Sequence, residues 1–157
     1  MTSALRERVV EYLDSHHAMT IASCGEEGVW AAAVFYVNDG FRLYFLSAPT
    51  TRHSRNIARD ARIAITIQED CADWPQIKGI QAEGRAVEIG GAEEARAREL
   101  YGEKYPVVGK VAQAPAFIVK ALAKVRWYRF EPECLYFIDN SAGFGHREAV
   151  DCHAPSS

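Results

Sequence analysis

Ser47, Thr50, Thr51, Arg52, His53, Ser54, Arg55 and Asn56 fall within ten residues, and from residue 47 to residue 62 four arginines and a histidine meet a single acid, Asp60. Pro49 followed by two threonines predicts a short helix over 51–59, with Thr50 or Thr51 as its cap. A helix start offers unpaired backbone N–H groups and a partial positive charge; hydroxyls add hydrogen bonds, and arginine adds a bidentate fork. Together these groups suit a phosphate. The same residues also make an ordinary solvated basic helix face with a threonine cap.

The elements around this stretch read mainly as strands. Apolar residues at helical spacing (Leu5, Val9, Tyr12, Leu13) predict an opening helix over 3–16, followed by a strand over 19–24. Runs over 29–37 and 41–47 flank Asn38-Asp39-Gly40, a hairpin signal in which both turn positions of an Asp-Gly pair want positive φ. Ala31, Ala32 and Ala33 in the first run leave room for a planar ligand against backbone; they equally suit two closely packed sheets. Ile63, Ile65 and Ile67 alternate with small residues, as in a half-buried strand over 61–67. A longer strand over 77–89 follows a loop at Trp74-Pro75, and its Gly79 and Gly84 suggest bends or close backbone approach. Residues 92–102 have helix-forming composition; Pro106 and Pro115 divide 107–122 into two short helical pieces; 124–130 and 135–138 return to strand; and 139–146 is turn chemistry. This succession predicts a mainly β (α+β) fold, an antiparallel barrel of six to seven strands with peripheral helices.

Composition agrees with that class. The 157 residues include 12 Val and 10 Ile against 7 Leu, which leans toward sheet rather than helix bundle. The net charge of −3 argues against a dedicated nucleic-acid binder. The four cysteines form no CxxC pair, which disfavours a zinc knuckle and a disulfide framework alike. No apolar signal-peptide core or membrane-length run is seen, which places the protein in the cytoplasm with no membrane partner. One domain over 1–150 with a flexible tail over 151–157 is the expectation.

The order of these pieces resembles the pyridoxamine 5′-phosphate oxidase-like FMN-binding split-barrel superfamily. The resemblance rests on Ala33-Val34-Phe35-Tyr36, the Asp-Gly hairpin, Leu43-Tyr44-Phe45-Leu46-Ser47, Thr51-Arg52-His53-Ser54-Arg55-Asn56-Ile57, Ala61-Arg62, and the strands Gly79-Ile80-Gln81-Ala82-Glu83-Gly84 and Trp127-Tyr128-Arg129-Phe130. It implies a split barrel in which FMN binds between the subunits of a homodimer. Ser47, Thr51, Arg52, His53 and Asn56 would hold or frame the phosphate, with Arg52 as its first anchor. His53 stands where the family has lysine and is mostly neutral at pH 7. Ala33, Val34, Phe35, Tyr36 and Gln81 would contact the isoalloxazine, and Trp127 or its neighbours, from the same or the partner chain, would close the site.

The resemblance implies an FMN-dependent oxidoreductase or flavin reductase acting on a small acceptor. The alternative on the same barrel is a flavin carrier or sensor, or a binder of haem or F420. No residue declares itself an obligatory acid or base, so the catalytic set stays open. The Arg-x-Glu-Phe-Trp type segment that true pyridoxamine-phosphate oxidases use for their substrate is missing, which argues against B6-vitamer oxidation. In its place the 139–147 segment could fold over the flavin with Phe144 or His146 near the substrate, or simply tether the tail. No GxGxxG fingerprint occurs, so NADH or NADPH would be a transient donor. His16-His17 and Cys152-His153 are not read as a metal site.

Overall fold

In the computed structural model, residues 3–109 and 115–153 are described. Their elements are helix α1 (Ser3–Ser15), strands β1 (Ala18–Gly25), β2 (Gly28–Phe35), β3 (Val37–Asp39) and β4 (Arg42–Ser47), helix α2 (Arg52–Arg59), strands β5 (Arg62–Gln68) and β6 (Lys78–Ile89), helices α3 (Gly91–Lys104), α4 (Pro106–Gly109) and α5 (Ala116–Leu122), and strands β7 (Arg126–Asp139) and β8 (Arg147–Val150). All pairings are antiparallel, in the order β2-β1-β5-β6-β7-β4-β3, with β8 added to β7. The sheet curls into a split barrel, the predicted class.

Alternation along the strands builds two cores. Leu43 and Phe45 of β4 join Ile21, Ile63, Ile65, Ile67, Ile80 and Phe130 inside the curl, which α1 covers with Leu5, Val9, Tyr12 and Leu13. Each such side chain contributes about 1.5–3 kcal/mol by leaving water. Tyr44, between Leu43 and Phe45, points the opposite way and packs with Val37, Trp127, Ala97 and Tyr101, so α3 covers the other face of β3-β4-β7. Arg129 anchors α3 there with two Nη1–H···O bonds to Glu93, of 2.7 and 2.8 Å.

Several expectations change. The run over 29–37 breaks at Tyr36, whose N–H donates to His17 O. In the hairpin Asp39 pairs with Arg42, so the turn residues are Gly40 and Phe41; only Gly40 has positive φ, at +62°. That is a turn of the II′ kind rather than the two-positive-φ turn expected of Asp-Gly. The strands expected over 124–130 and 135–138 are one strand, β7. Pairing with β6 carries it through Pro132, where the register skips Glu133 as a bulge. Strand β8 follows the predicted turn segment and brings the number of strands among the described residues to eight. Of the two helical pieces expected over 107–122, residues 110–114 lie outside the described residues, as do 154–157 of the expected tail. The tail's start is docked: Cys152 packs against the core and Arg6 donates to Asp151 O.

Candidate functional site

Thr51 is the N-cap of α2, in extended conformation with its Oγ1 accepting from Ser54 N–H. Arg55 N–H bonds to Thr51 O, leaving the N–H groups of Arg52 and His53 without a partner among the described residues. Ser47, the last residue of β4, places its Oγ 3.1 Å from Thr51 Oγ1 and 2.7 Å from His53 Nε2. Ser47 and His53 are both buried. Burial lowers the His53 pKa from its ordinary value, so the imidazole is neutral and orients hydroxyls instead of supplying charge.

Asn56, one turn further along α2, donates from Nδ2 to Ser23 Oγ of β1 at 3.0 Å. It is buried beneath the helix mouth, and it frames the site without opening onto it.

Charge at the mouth comes from Arg52. Its guanidinium carbon lies 4.4 Å over the Trp30 ring, Nη2 donates to Glu27 O at 3.1 Å, and Nε is 3.6 Å from a Glu27 carboxylate oxygen. That Nε is buried and has no hydrogen-bond partner. An unbonded donor on the first residue of a helix whose first N–H groups are free suits a phosphate, once Glu27, whose side chain is 70% exposed, swings clear of it. Arg59 pairs with Glu26 of the β1–β2 turn and Arg62 with Asp60 at the end of α2, so the basic stretch is largely neutralised; the Arg55 guanidinium donates to Thr50 O. Glu27 and Trp30 did not enter the sequence reading. No local signal marks them, because they meet Arg52 across more than twenty residues of chain.

The other expected residues divide. Ala33 and Phe35 are exposed on the uncovered face of the sheet, whereas Val34 turns toward the core. Tyr36 is fully buried and donates its hydroxyl to Leu13 O at 2.8 Å, so its ring belongs to the core and not to a ligand surface. Gln81 is exposed on the same face as Ala33, in the cross-strand row Ala33, Thr20, Thr66, Gln81, Tyr136. Three strand spacings separate them, about 14 Å. Trp127 is 1% exposed and pairs with Leu46 on the α3 side of the sheet, away from Ser47, so within one chain it does not reach the mouth of α2. Phe144 lies in the β7–β8 connection, 82% exposed and with its ring 5.4 Å from that of Trp74; His146 Nε2 is 3.1 Å from a Glu148 carboxylate oxygen.

The profile of the pyridoxamine 5′-phosphate oxidase family matches residues 5–138, from the opening helix to the end of β7. The chain belongs to that family. A UPF0306 protein of Klebsiella pneumoniae is 30% identical over 138 residues, covering 87% of this chain and 86% of its own. Among solved structures, a heme binding protein from Mycobacterium smegmatis superposes with a TM-score of 0.73 at 19% identity, over 97% of this chain and 59% of that one. HutZ, the heme storage protein from Vibrio cholerae, superposes at 0.68 and 16% identity, over 88% and 95%. At these identities the structures establish the shared fold. Among the described residues no cluster of three metal-ligating side chains occurs, and no helix is long and apolar enough to cross a membrane.

Proposed function

We propose that this chain binds FMN and works as an FMN-dependent oxidoreductase or flavin reductase on a small acceptor, as a homodimer with residues 1–150 as its binding unit. The observation that carries the reading is the unbonded Arg52 Nε on the first residue of α2, a helix whose first N–H groups are free and whose cap, Thr51, lies 3.1 Å from the Ser47 hydroxyl. When bound, FMN supplies hydride and electron transfer. Arg52 holds the phosphate, stacked on Trp30 so that its fork is pre-oriented; Ser47 donates its hydroxyl; Thr51, whose own proton goes to Ala48 O or Ser54 Oγ, frames the site as the cap of α2; neutral His53 fixes Ser47. The uncovered sheet face with Ala31, Ala33 and Phe35 supports the homodimer: Val29 and Phe35 are 81% and 59% exposed there, apolar area that a second copy would remove from water.

Titrating the purified protein with FMN tests the reading. A saturable flavin spectrum is expected, with Arg52→Ala weakening it tenfold or more, the worth of about 1.5–3 kcal/mol for a charge-assisted bond. A protein that leaves FMN free in solution overturns it. A Soret band on adding haem, lost in His146→Ala, favours the haem reading that the similar heme proteins suggest. Reduction of the bound flavin by NADH or NADPH, with reoxidation by an acceptor at turnover rates, separates enzyme from carrier.

A further inference from the structure

A second concavity lies on the opposite face of the sheet from Ser47, where α3, α4 and α5 meet the start of β7. It is a cleft of about 610 Å³, within the range of small-molecule sites. Val108, Val119, Leu122 and Val125 make its apolar walls, and Trp127 lines it. Trp127 is 1% exposed, Tyr101 packs edge-on to its ring at 5.3 Å, and its indole Nε1–H has no hydrogen-bond partner. A buried donor with nothing to bond costs free energy in the empty protein and returns it when an acceptor arrives.

The rim decides the charge of what fits. Arg98, stacked 5.1 Å over Trp127, pairs with Glu94; Arg126 pairs with Glu88; and Glu99 pairs with Arg96. Among the described residues that line the cleft, each charged side chain has its counterpart, so an ionic ligand gains little from them and loses its hydration.

We propose that this cleft is a second ligand site, for a small, uncharged, largely apolar molecule carrying one carbonyl-type acceptor that the Trp127 indole N–H meets. The test uses the full chain labelled with ¹⁵N. The indole signal of Trp127 is assigned by elimination in Trp30→Phe and Trp74→Phe, both of which change exposed rings. Acetophenone is expected to move that signal downfield and saturably. Isopropylbenzene, alike in shape but without the acceptor, binds about fivefold more weakly, the worth of one net hydrogen bond. Benzoate binds more weakly than acetophenone, and Val125→Phe, folded as judged by its spectrum, loses the acetophenone response. The proposal is overturned if acetophenone gives no saturable shift, if isopropylbenzene or benzoate binds as well, or if Val125→Phe leaves binding unchanged.

Discussion

His53 Nε2 and Ser47 Oγ lie 2.7 Å apart, joining the first turn of α2 to the last residue of β4 in a buried contact. This places a neutral imidazole where the family has lysine and leaves the charge of the site with Arg52, the residue expected from the sequence to anchor a phosphate.

The His53 contact has a pH signature. Its pKa is lowered in the fold by burial, so below the ordinary histidine value the unfolded chain takes up a proton that the folded chain does not. The associated stability is present above about pH 6.5 and is lost as pH falls through the lower folded value. Urea denaturation from pH 7.5 down to 5 is expected to show this loss, and His53→Gln to flatten it. Parallel profiles for the two proteins would contradict the assignment.

Gly25 and Asn56 are coupled by space. A Cβ at residue 25 would sit 1.9 Å from Asn56 Oδ1, so Gly25→Ala must push the amide off Ser23. The expected cost is about 1–2 kcal/mol, a lost buried hydrogen bond plus strain. In the double variant with Asn56→Ala the obstruction is gone, so the two losses add to less than their sum, read by denaturant midpoints in a double-mutant cycle.

Gly84 has less freedom. A Cβ there would lie 2.1 Å from Glu131 O and 2.9 Å from the Cα of Pro132, backbone at the β6–β7 bulge that cannot step aside. Gly84→Ala is expected to destabilise by about 3 kcal/mol, more than Gly25→Ala, whose obstacle is a side chain. A thermal midpoint equal to wild type would show that the bulge adapts.

Lys104 carries a second pH prediction. Its ammonium sits 4.4 Å over the Tyr36 ring and donates to Leu13 O and His16 O at the end of α1; burial brings its pKa down to about 8. Between about pH 8 and the onset of tyrosine ionisation near 10, the unfolded chain holds this proton longer than the folded one. Over that window stability is expected to rise with pH as the buried Lys104 gives up its charge, and Lys104→Met to remove the gain. Direct titration of the Nζ resonance checks the midpoint.

Local patterns alone determined much of this protein. Helical spacing placed α1, β5 followed from the isoleucine alternation, and Pro49 with the threonine pair placed the mouth of α2 and narrowed its cap to Thr50 or Thr51; these features depend on neighbours within a few residues. The order of such local pieces also carried the family resemblance. Pairing between distant segments decided the rest. Strand β7 runs unbroken through Pro132 because β6 holds it on both sides of a bulge, and β8 exists because β7 has a free edge to offer Arg147–Val150. Alternation along 33–36 was readable, but which face would be covered was not, so Tyr36 entered the core while Ala33 and Phe35 stayed open. Trp127 likewise went under α3 because its cross-strand neighbour Leu46 faces that way. The arginine cluster was visible as composition; its partners Glu26, Glu27 and Trp30 were not. Coulomb and packing forces act between groups close in space, and only the folded sheet sets which groups those are.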